Sequence, residues 1–189
     1  AGVSIAPAGK AVAIVRAALA PEIDGNADDL WANVESNQIA YVAYAPASDE
    51  ADFSAGFKAM YDDQALYVLV DVSDDKLVND SDEFWLDDTV EIFLDADNSK
   101  SRSYDEDDYQ YNFSWDNSAP TLGETKHDKT EGVRYAFART DAGYRLEVKL
   151  PWSTLGTDPQ TASQIGLDVH VNDDDDGGDR DTKLMWCTM

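Results

Sequence analysis

The sequence has little cysteine, few basic residues and no long apolar run. Its single cysteine, Cys187, cannot form an internal disulfide. No segment reaches the roughly 20 apolar residues needed to span a bilayer, so no membrane segment is predicted. Only 14 Lys and Arg stand against 39 Asp and Glu, and the formal net charge is -25. Nucleic-acid binding is excluded, because it depends on basic side chains that neutralise phosphates.

Long helical periodicity is also absent. Apolar and polar residues instead alternate in successive short segments, which is the period-two pattern of half-buried strands. The predicted strands are 39–45, 53–61, 65–72, 89–95, 109–115, 133–140, 144–150, 165–171 and 183–187, with a leading strand at 12–16. Short helical turns are predicted at 26–31 and 151–155. The fold class is therefore an all-β, antiparallel sandwich of jelly-roll type, in one domain over 21–189 with 1–20 as a leading strand or linker.

Three of the five tryptophans and the cysteine have their own predictions. Trp31 and Trp152 belong to the two helical turns and are predicted to anchor them in the core. Trp115 ends a strand, and both a core and a surface role are open. Cys187 lies in the apolar run Leu184-Met185-Trp186-Cys187 and is predicted to be a core residue.

A further tryptophan, Trp85, precedes the strand at 89–95 and has charged neighbours in Glu83, Asp87 and Asp88. These neighbours indicate a surface loop, although a core tryptophan is the alternative. A flat apolar ring beside fixed polar groups suits a sugar, whose C–H face is apolar and whose hydroxyls need directed hydrogen bonds. Trp85 is therefore a candidate for stacking on a carbohydrate.

The strand at 89–95 leads into a loop rich in carboxylates, which predicts a calcium (Ca2+) site. Calcium takes about six to eight oxygen ligands, and backbone carbonyls can complete its shell. The predicted ligands are Asp95, Asp97, Asn98, Asp107 and Asp108, with the carbonyls of Lys100 and Ser103. An EF-hand is rejected, because the required glycine is absent at its sixth position and strands flank the loop. A second acidic run, 173–176 with Asp179 and Asp181, is either a solvated turn or a metal site.

From about Pro21 to Trp186, the chain resembles carbohydrate-binding module family 9, which occurs attached to xylanases. The motifs that carry the resemblance are, in chain order, Pro21-Glu22-Ile23-Asp24-Gly25, Trp31, Ala65-Leu66-Tyr67-Val68, Asp88-Thr89-Val90-Glu91-Ile92-Phe93, Asp107-Asp108-Tyr109-Gln110, Leu150-Pro151-Trp152, Gly166-Leu167-Asp168-Val169-His170-Val171-Asn172-Asp173 and Trp186. The resemblance implies a β-sandwich with bound calcium and no catalysis. It also implies that two aromatic rings clamp a terminal sugar of a cellulose or xylan chain.

Carried over by residue, the resemblance makes Trp85 one clamp ring and makes Glu91 and Asn172 polar contacts of the sugar. The resemblance places the second clamp tryptophan beyond the Trp186 strand, past Met189. Either the module lacks its C-terminal end or the site is built differently.

Other positions depart from the family pattern. His170 stands where the best-studied members have glutamine, and Asn112 and Ser114 stand where they have arginine and asparagine. Loss of that arginine weakens the expectation of reducing-end recognition. The complete predicted ligand-binding set is Trp85, Glu91, Asn112, Ser114, His170 and Asn172.

These features favour a secreted, non-catalytic module that directs an attached glycan-degrading enzyme to cellulose or xylan. A glycoside hydrolase is the first alternative, because acid pairs can catalyse glycosidic cleavage, but 39 acids guarantee such pairs by chance. A cytochrome-like sandwich is the second, with haem held by His170 and by Met60 or Met185.

Overall fold

In a computed structural model, the protein folds as two β-sheets that pack against each other around a shared core. The structure describes residues 3–6, 12–47, 49–116 and 120–187; of the predicted leading segment, residues 1, 2 and 7–11 lie outside this part. The strands are β1 Ser4–Ala6, β2 Val12–Ala13, β3 Val15–Arg16, β4 Asn37–Ile39, β5 Tyr41–Tyr44, β6 Phe53–Tyr61, β7 Ala65–Asp74, β8 Thr89–Asp95, β9 Asp108–Ser114, β10 Thr121–Glu124, β11 Arg134–Arg139, β12 Gly143–Pro151, β13 Gln164–Asp173 and β14 Thr182–Met185. The predicted all-β sandwich is confirmed.

The first sheet has eight strands in the order β10-β9-β8-β13-β1-β2, with β14 also paired to β13 and β5 paired to β14. The second sheet has six, in the order β11-β12-β7-β6-β3, with β4 paired to β6. The described pairings are antiparallel except for β1 with β13 and β3 with β6. Alternate residues face the core, as do the fully buried Val90 and Ile92 of β8 and Val68 and Val70 of β7. Burial of each such side chain contributes about 1.5–3 kcal/mol.

The strands that the sequence misplaces lie where the chain passes between sheets. The predicted strand 39–45 is wrong as a single strand, because buried Ile39 ends β4 in the second sheet and Tyr41 begins β5 in the first. The predicted strand 12–16 is likewise divided into β2 and β3, which pair in different sheets. The sequence does not predict β10, because its four residues include only one large apolar side chain and a glycine.

Two short helices anchor the connections. A 3₁₀ helix spans Asp29–Asn33, and α1 spans Trp152–Leu155. Trp31 and Trp152 are 1% and 4% exposed, so their predicted core positions are confirmed. Trp115 also belongs to the core, where it stacks on Tyr144 at 5.4 Å between ring centroids. The longer of these helices has five residues, and no described helix is long and apolar enough to cross a membrane.

Residues 21–34 cover the outer face of the second sheet. The 3₁₀ helix begins after Asp28, whose carboxylate accepts the backbone N–H of Leu30 at 2.8 Å. Its Trp31 lies in a small buried cluster with Met60 and Tyr67, which project from β6 and β7. This covering segment therefore occupies part of the outer face of the second sheet.

A buried carboxylate fastens the covering segment to the sheet. Glu147 of β12 accepts the backbone N–H groups of Asp24 (3.1 Å) and Gly25 (2.9 Å) and the indole N–H of Trp31 (2.9 Å). Burial raises the pKa of Glu147, while these three hydrogen bonds oppose the shift. Gly25 has a φ of 85°, and a Cβ there would lie 2.7 Å from the backbone of Phe137, so the turn requires glycine.

Replacement of Glu147 by alanine should lower the free energy of unfolding by about 3–5 kcal/mol, because each buried donor left without an acceptor costs roughly 1–3 kcal/mol. Urea denaturation followed by tryptophan fluorescence would measure the change. The control is Glu35→Ala, which alters an exposed acid and should stay within about 0.5 kcal/mol of the parent. A loss below about 1 kcal/mol for Glu147→Ala would contradict the anchoring role.

Candidate functional site

The outer face of the first sheet carries a cluster of polar side chains. Glu91 of β8 lies directly opposite Asn112 of β9 and His170 of β13. Directly paired residues of antiparallel strands project on the same face of the sheet, and Thr89 is paired in the same way with its neighbours in β9 and β13. The structure thereby brings together five of the predicted ligand-binding residues: Glu91, Asn112, Ser114, His170 and Asn172. All five are at least 94% buried.

Glu91 is the centre of this cluster. Its carboxylate accepts hydrogen bonds from the amides of Asn172 (2.9 Å) and Gln110 (2.8 Å) and from the ammonium group of Lys183 (2.6 Å). Burial alone would raise the pKa of Glu91, but the charge and hydrogen bond of Lys183 and the bond from Asn172 outweigh it and lower the pKa below its ordinary value. Glu91 is thus an ionised acceptor in a fixed orientation.

His170 lies beside a small cavity of about 270 Å³ at the end of the cluster, lined in part by Phe93, Tyr104 and Asp168. Its Nε2 lies 3.0 Å from Asp168 Oδ2, and its ring packs on Phe93 at 4.3 Å between centroids. Cys187 also lines the cavity and donates its thiol to Asp168 Oδ2 at 2.9 Å. The prediction of Cys187 as a core residue is wrong: this contact holds it, half-buried, at the cavity wall.

Trp85 lies at the opposite end of the cluster and is 42% exposed. Its loop is held to the sheet by the hydroxyl of Thr89, which donates to the carbonyl of Phe84 at 2.5 Å. The ring of Phe84 also supports Trp85 edge-to-face at 5.0 Å between centroids. An exposed tryptophan on a braced loop therefore lies next to the strand that carries the buried polar cluster. The predicted surface position of Trp85 is confirmed, but not for the predicted reason, because its acidic neighbours Asp87 and Asp88 are buried.

Sequence reasoning missed three residues of this face. Lys183 lies opposite Asn172 in the β13–β14 pair, and Tyr44 lies opposite Lys183 in the β14–β5 pair. Arg180 comes from the turn between β13 and β14 and donates to Asn172 Oδ1 at 3.0 Å. Their positions on this face depend on the register of the β13–β14 hairpin. The acidic turn at 173–181 has no residue pattern from which that register could be predicted.

The predicted metal loop gathers three carboxylates. Asp95, Asp97 and Asp107 each place an oxygen within 4.8 Å of the others. Burial, a hydrogen bond with Asp105 and the charge of Asp97 raise the pKa of Asp107 to about 6. Near them, the buried Oδ1 of Asn98 has no hydrogen-bond partner among the described residues. Three carboxylates and an orphaned amide oxygen are a donor set that suits calcium.

The other predicted ligands of this loop make hydrogen bonds within it. Asp108 Oδ2 accepts the backbone N–H of Asp105 at 2.9 Å, and the carbonyl of Ser103 accepts the hydroxyl of Ser101. The backbone N–H of Lys100 donates to the carboxylate of Asp95 at 2.9 Å, a bond of the amide group and not of the predicted carbonyl ligand. The structure thus places part of the predicted ligand set together and leaves Asp108 outside it.

A second group of acids is buried more deeply. Asp74 (3% exposed), Asp173 (1%) and the half-buried Asp175 have oxygens within 4.8 Å of one another. The polar atoms here without a hydrogen-bond partner in the described part of the chain are Asp74 Oδ2, Asp173 Oδ1, Asp174 Oδ2, Asp175 Oδ1 and the hydroxyl of Tyr144. The ammonium group of Lys76 lies 3.5 Å from Asp175. Among the described residues, Asp175 is thus the one member of this group that forms an ion pair.

Burial and mutual repulsion keep these carboxyls from ionising together. Burial first, and then the neighbouring acids, raise the pKa of Asp74 to about 7, of Asp173 to about 8 and of Asp88 to about 9. Buried acids need protons, cationic partners or a metal ion to be tolerated. A divalent cation would satisfy both their charge and their orphaned oxygens, so this group, hereafter the buried acid cluster, fits calcium as well as the predicted loop does.

The two haem ligand pairs weighed from the sequence do not form. Met60 lies in the cluster outside the second sheet, whereas His170 lies on the outer face of the first, so they cannot flank one haem. Met185 is the direct register partner of His170. Directly paired residues have Cα atoms about 4.5–5.5 Å apart, which leaves no room for a haem between them.

Comparison with known proteins shows the family to which this chain belongs. Residues 23–189 match the family model described as "Carbohydrate family 9 binding domain-like". Over 167 residues, the chain is 37% identical to endo-1,4-beta-xylanase A of Thermoanaerobacterium saccharolyticum and 37% identical to exoglucanase XynX of Acetivibrio thermocellus. Each alignment covers 88% of this chain but 14% of the relative, so the chain matches only a small part of those proteins.

Solved structures of similar fold belong to the same family. A carbohydrate-binding module of family 9 from Caldicellulosiruptor kristjanssonii in complex with glucose superposes with a TM-score of 0.78 and 29% identity, over 92% of this chain and 83% of that one. The same module in complex with cellotriose gives a TM-score of 0.78. The fold and site define a non-catalytic sugar-binding sandwich. The chain belongs to carbohydrate-binding module family 9, and the hydrolase alternative is set aside.

Proposed function

We propose that this module binds the terminal sugar of a β-1,4-linked glucan or xylan on the outer face of its first sheet. The observation that carries the proposal is the exposed Trp85, on a loop that Thr89 fastens to the strand of the buried, ionised Glu91. The family 9 modules solved with glucose and cellotriose support the glucan class, and the xylanase relatives support xylan.

The chemistry follows from the two parts of the site. The ring of Trp85 would pack on the apolar C–H face of a pyranose, while Glu91 and Asn172 would exchange hydrogen bonds with its hydroxyls. Asn112, Ser114 and His170 would be further partners on the same face. Because Glu91 is already oriented by three donors, little side-chain freedom would be lost when a sugar binds.

The biological role we infer is to hold an attached glycan-degrading enzyme on its polymer. A second binding site linked to a catalytic domain raises the effective concentration of that domain at the polymer surface. Insoluble polysaccharide lies outside the cell, so such a module would work as part of a secreted protein. The chain's place within much longer xylanase relatives supports this inference.

Calcium is proposed at both acidic sites, as a structural ion. In the loop, Asp95, Asp97 and Asp107 would hold it, with Asn98 Oδ1 as a neutral ligand. In the buried acid cluster, Asp74, Asp173 and Asp175 would hold it. When bound, the ion supplies positive charge that neutralises these carboxylates and stabilises the folded state, with no part in a reaction.

Trp85→Ala should weaken binding of cellobiose or xylobiose by about 2 kcal/mol or more, roughly thirty-fold, because buried aromatic anchors dominate binding sites. Calorimetric titration of the calcium-loaded protein would measure it. The control is Leu19→Ala, which removes another exposed apolar side chain and should bind like the parent. A folded Trp85→Ala variant with parental affinity would refute stacking. A parent that binds neither disaccharide would refute the proposed function itself.

A further inference from the structure

Arg180 occupies an unusual position on the ligand-binding face. Its Nη1 donates to Asn172 Oδ1 at 3.0 Å and to the backbone carbonyl of Trp85 at 3.3 Å. Its guanidinium lies over the ring of Tyr44, 5.2 Å from the ring centroid. One side chain therefore connects the polar cluster, the loop of the stacking tryptophan and an exposed aromatic residue of the edge strand β5.

The partners of Arg180 are neutral, although the chain contains 39 acids and both sequence neighbours of Arg180 are aspartates. It makes no ion pair with a carboxylate among the described residues. Its Nε is buried and lacks a hydrogen-bond partner in the same part of the chain. An arginine carries five N–H donors in a fixed planar fork, and the protein contacts described for Arg180 use only Nη1. Donor capacity is thus left over beside Asn172.

Tyr44 explains why the guanidinium stays in this place. Tyr44 lies opposite Lys183, which is opposite Asn172, so the three residues form one row on the outer face. Tyr44 is 51% exposed, and its ring presents a face to Arg180. The attraction of a cation to an aromatic ring favours one placement of this flexible side chain.

We propose that Arg180 is a sugar-contacting residue that determines specificity, and that Tyr44 is the positioning residue that holds it over the site. This inference rests on the proposed function. The remaining donors of Arg180 hydrogen-bond a hydroxyl oxygen of the sugar that stacks on Trp85. The ligand class is a neutral glucose- or xylose-type unit. Sugar hydroxyls both donate and accept hydrogen bonds, and the site offers the donors of Arg180 together with the acceptor of Glu91.

The first test compares matched arginine variants by calorimetric titration with cellobiose and xylobiose. Arg180→Gln should weaken binding about ten-fold or more, because a hydrogen bond from a charged donor is lost. Tyr44→Leu should weaken it about three-fold through looser placement of Arg180. The control is Arg139→Gln, since Arg139 also lies over an aromatic ring, Trp115 at 5.9 Å, but in the second sheet. Parental affinity for Arg180→Gln would overturn the inference.

The second test separates direct contact from support of the Trp85 loop. Glucose analogues that each lack one hydroxyl are titrated into the parent and into Arg180→Gln. We expect one analogue to bind the parent about ten-fold more weakly than glucose, and that difference to shrink below about two-fold in the variant, as in a double-mutant cycle. If Arg180 only supported the loop, the variant would weaken glucose and every analogue by the same factor, which would overturn the assignment.

The outcomes distinguish this inference from the proposed function. If Trp85→Ala abolishes binding while Arg180→Gln leaves it unchanged, the proposed function stands and the role of Arg180 is refuted. If the parent binds neither disaccharide, both are refuted. Melting temperatures of Arg180→Gln and Arg139→Gln within about 2 °C of the parent confirm that folding is intact, as expected for surface substitutions.

Discussion

Removal of calcium by a chelator should lower the melting temperature of the protein by roughly 10 °C. An ion that binds only the folded state stabilises it by about 4 kcal/mol when the concentration of free ion is about a thousand times the dissociation constant. For a domain of this size, each kcal/mol shifts the melting temperature by about 2–4 °C. Circular dichroism melts at pH 7 in excess calcium and in excess chelator would measure the difference. Equal melting temperatures would refute structural calcium.

Two variants assign this effect to one of the two acidic sites. Asp173→Asn alters the buried acid cluster and should remove most of the difference between calcium and chelator. Asp97→Asn alters an exposed acid of the β8–β9 loop and should preserve most of it, because an exposed site orders less of the core. The reverse result would place the stabilising ion in the loop. Magnesium should substitute poorly, because it demands closer octahedral coordination.

In chelator, the stability of the protein should fall as the pH rises from about 4 to about 9. Asp74, Asp173 and Asp88 have folded-state pKa values of about 7, 8 and 9, well above the value near 3.9 of an unfolded aspartate. The folded protein therefore binds more protons than the unfolded chain across this range, so the free energy of unfolding decreases with pH. Calcium should suppress this slope by occupying the cluster. Melts at intervals of one pH unit would test it.

The sequence predicts the strands best where a strand stays in one sheet. Alternation in 53–61 and 89–95 matches β6 and β8 at both ends, because every second side chain of these strands belongs to the shared core along the whole length. Where the chain leaves one sheet for the other, at Ile14 and Ala40, apolar residues continue and the pattern gives no warning. Short pairings such as β3 with β6 depend on distant residues.

Part of the site was also predictable from alternation within single strands. Period-two spacing places Asp168, His170 and Asn172 on one face of β13, and the antiparallel pairing brings Glu91 beside them. Arg180 and Tyr44 come from a turn and an edge strand whose positions depend on hairpin register. The buried acid cluster joins Asp74 at the end of β7 with Asp173 at the end of β13. No local pattern reveals that two distant acids share one buried space.

Replacement of Lys183 by methionine should both destabilise the protein and abolish sugar binding. Lys183 is the cation that neutralises Glu91, and their side chains are 15% and 3% exposed. Breaking a buried ion pair from one side costs about 3–5 kcal/mol, since the remaining charge is left without compensation. The control is Arg16→Met, which breaks the Arg16–Asp63 pair, whose side chains are more than half exposed, and should cost less than about 1 kcal/mol.

The double variant Lys183→Met/Glu91→Gln separates folding from recognition. Removing the second charge should restore most of the lost stability, because a neutral amide needs no cationic partner. Its oxygen can still accept from Asn172, and its NH2 group can donate to Gln110 once the Gln110 amide rotates to present its oxygen. Sugar affinity should stay lost, since a neutral amide oxygen is a weaker acceptor for a hydroxyl than a carboxylate is. Urea denaturation and disaccharide titration of the parent, the single variants and the double variant would measure both quantities. Restored stability together with restored binding would mean that the charge of Glu91 serves only the fold, and that Trp85 and the neutral side chains of the face recognise the sugar without it.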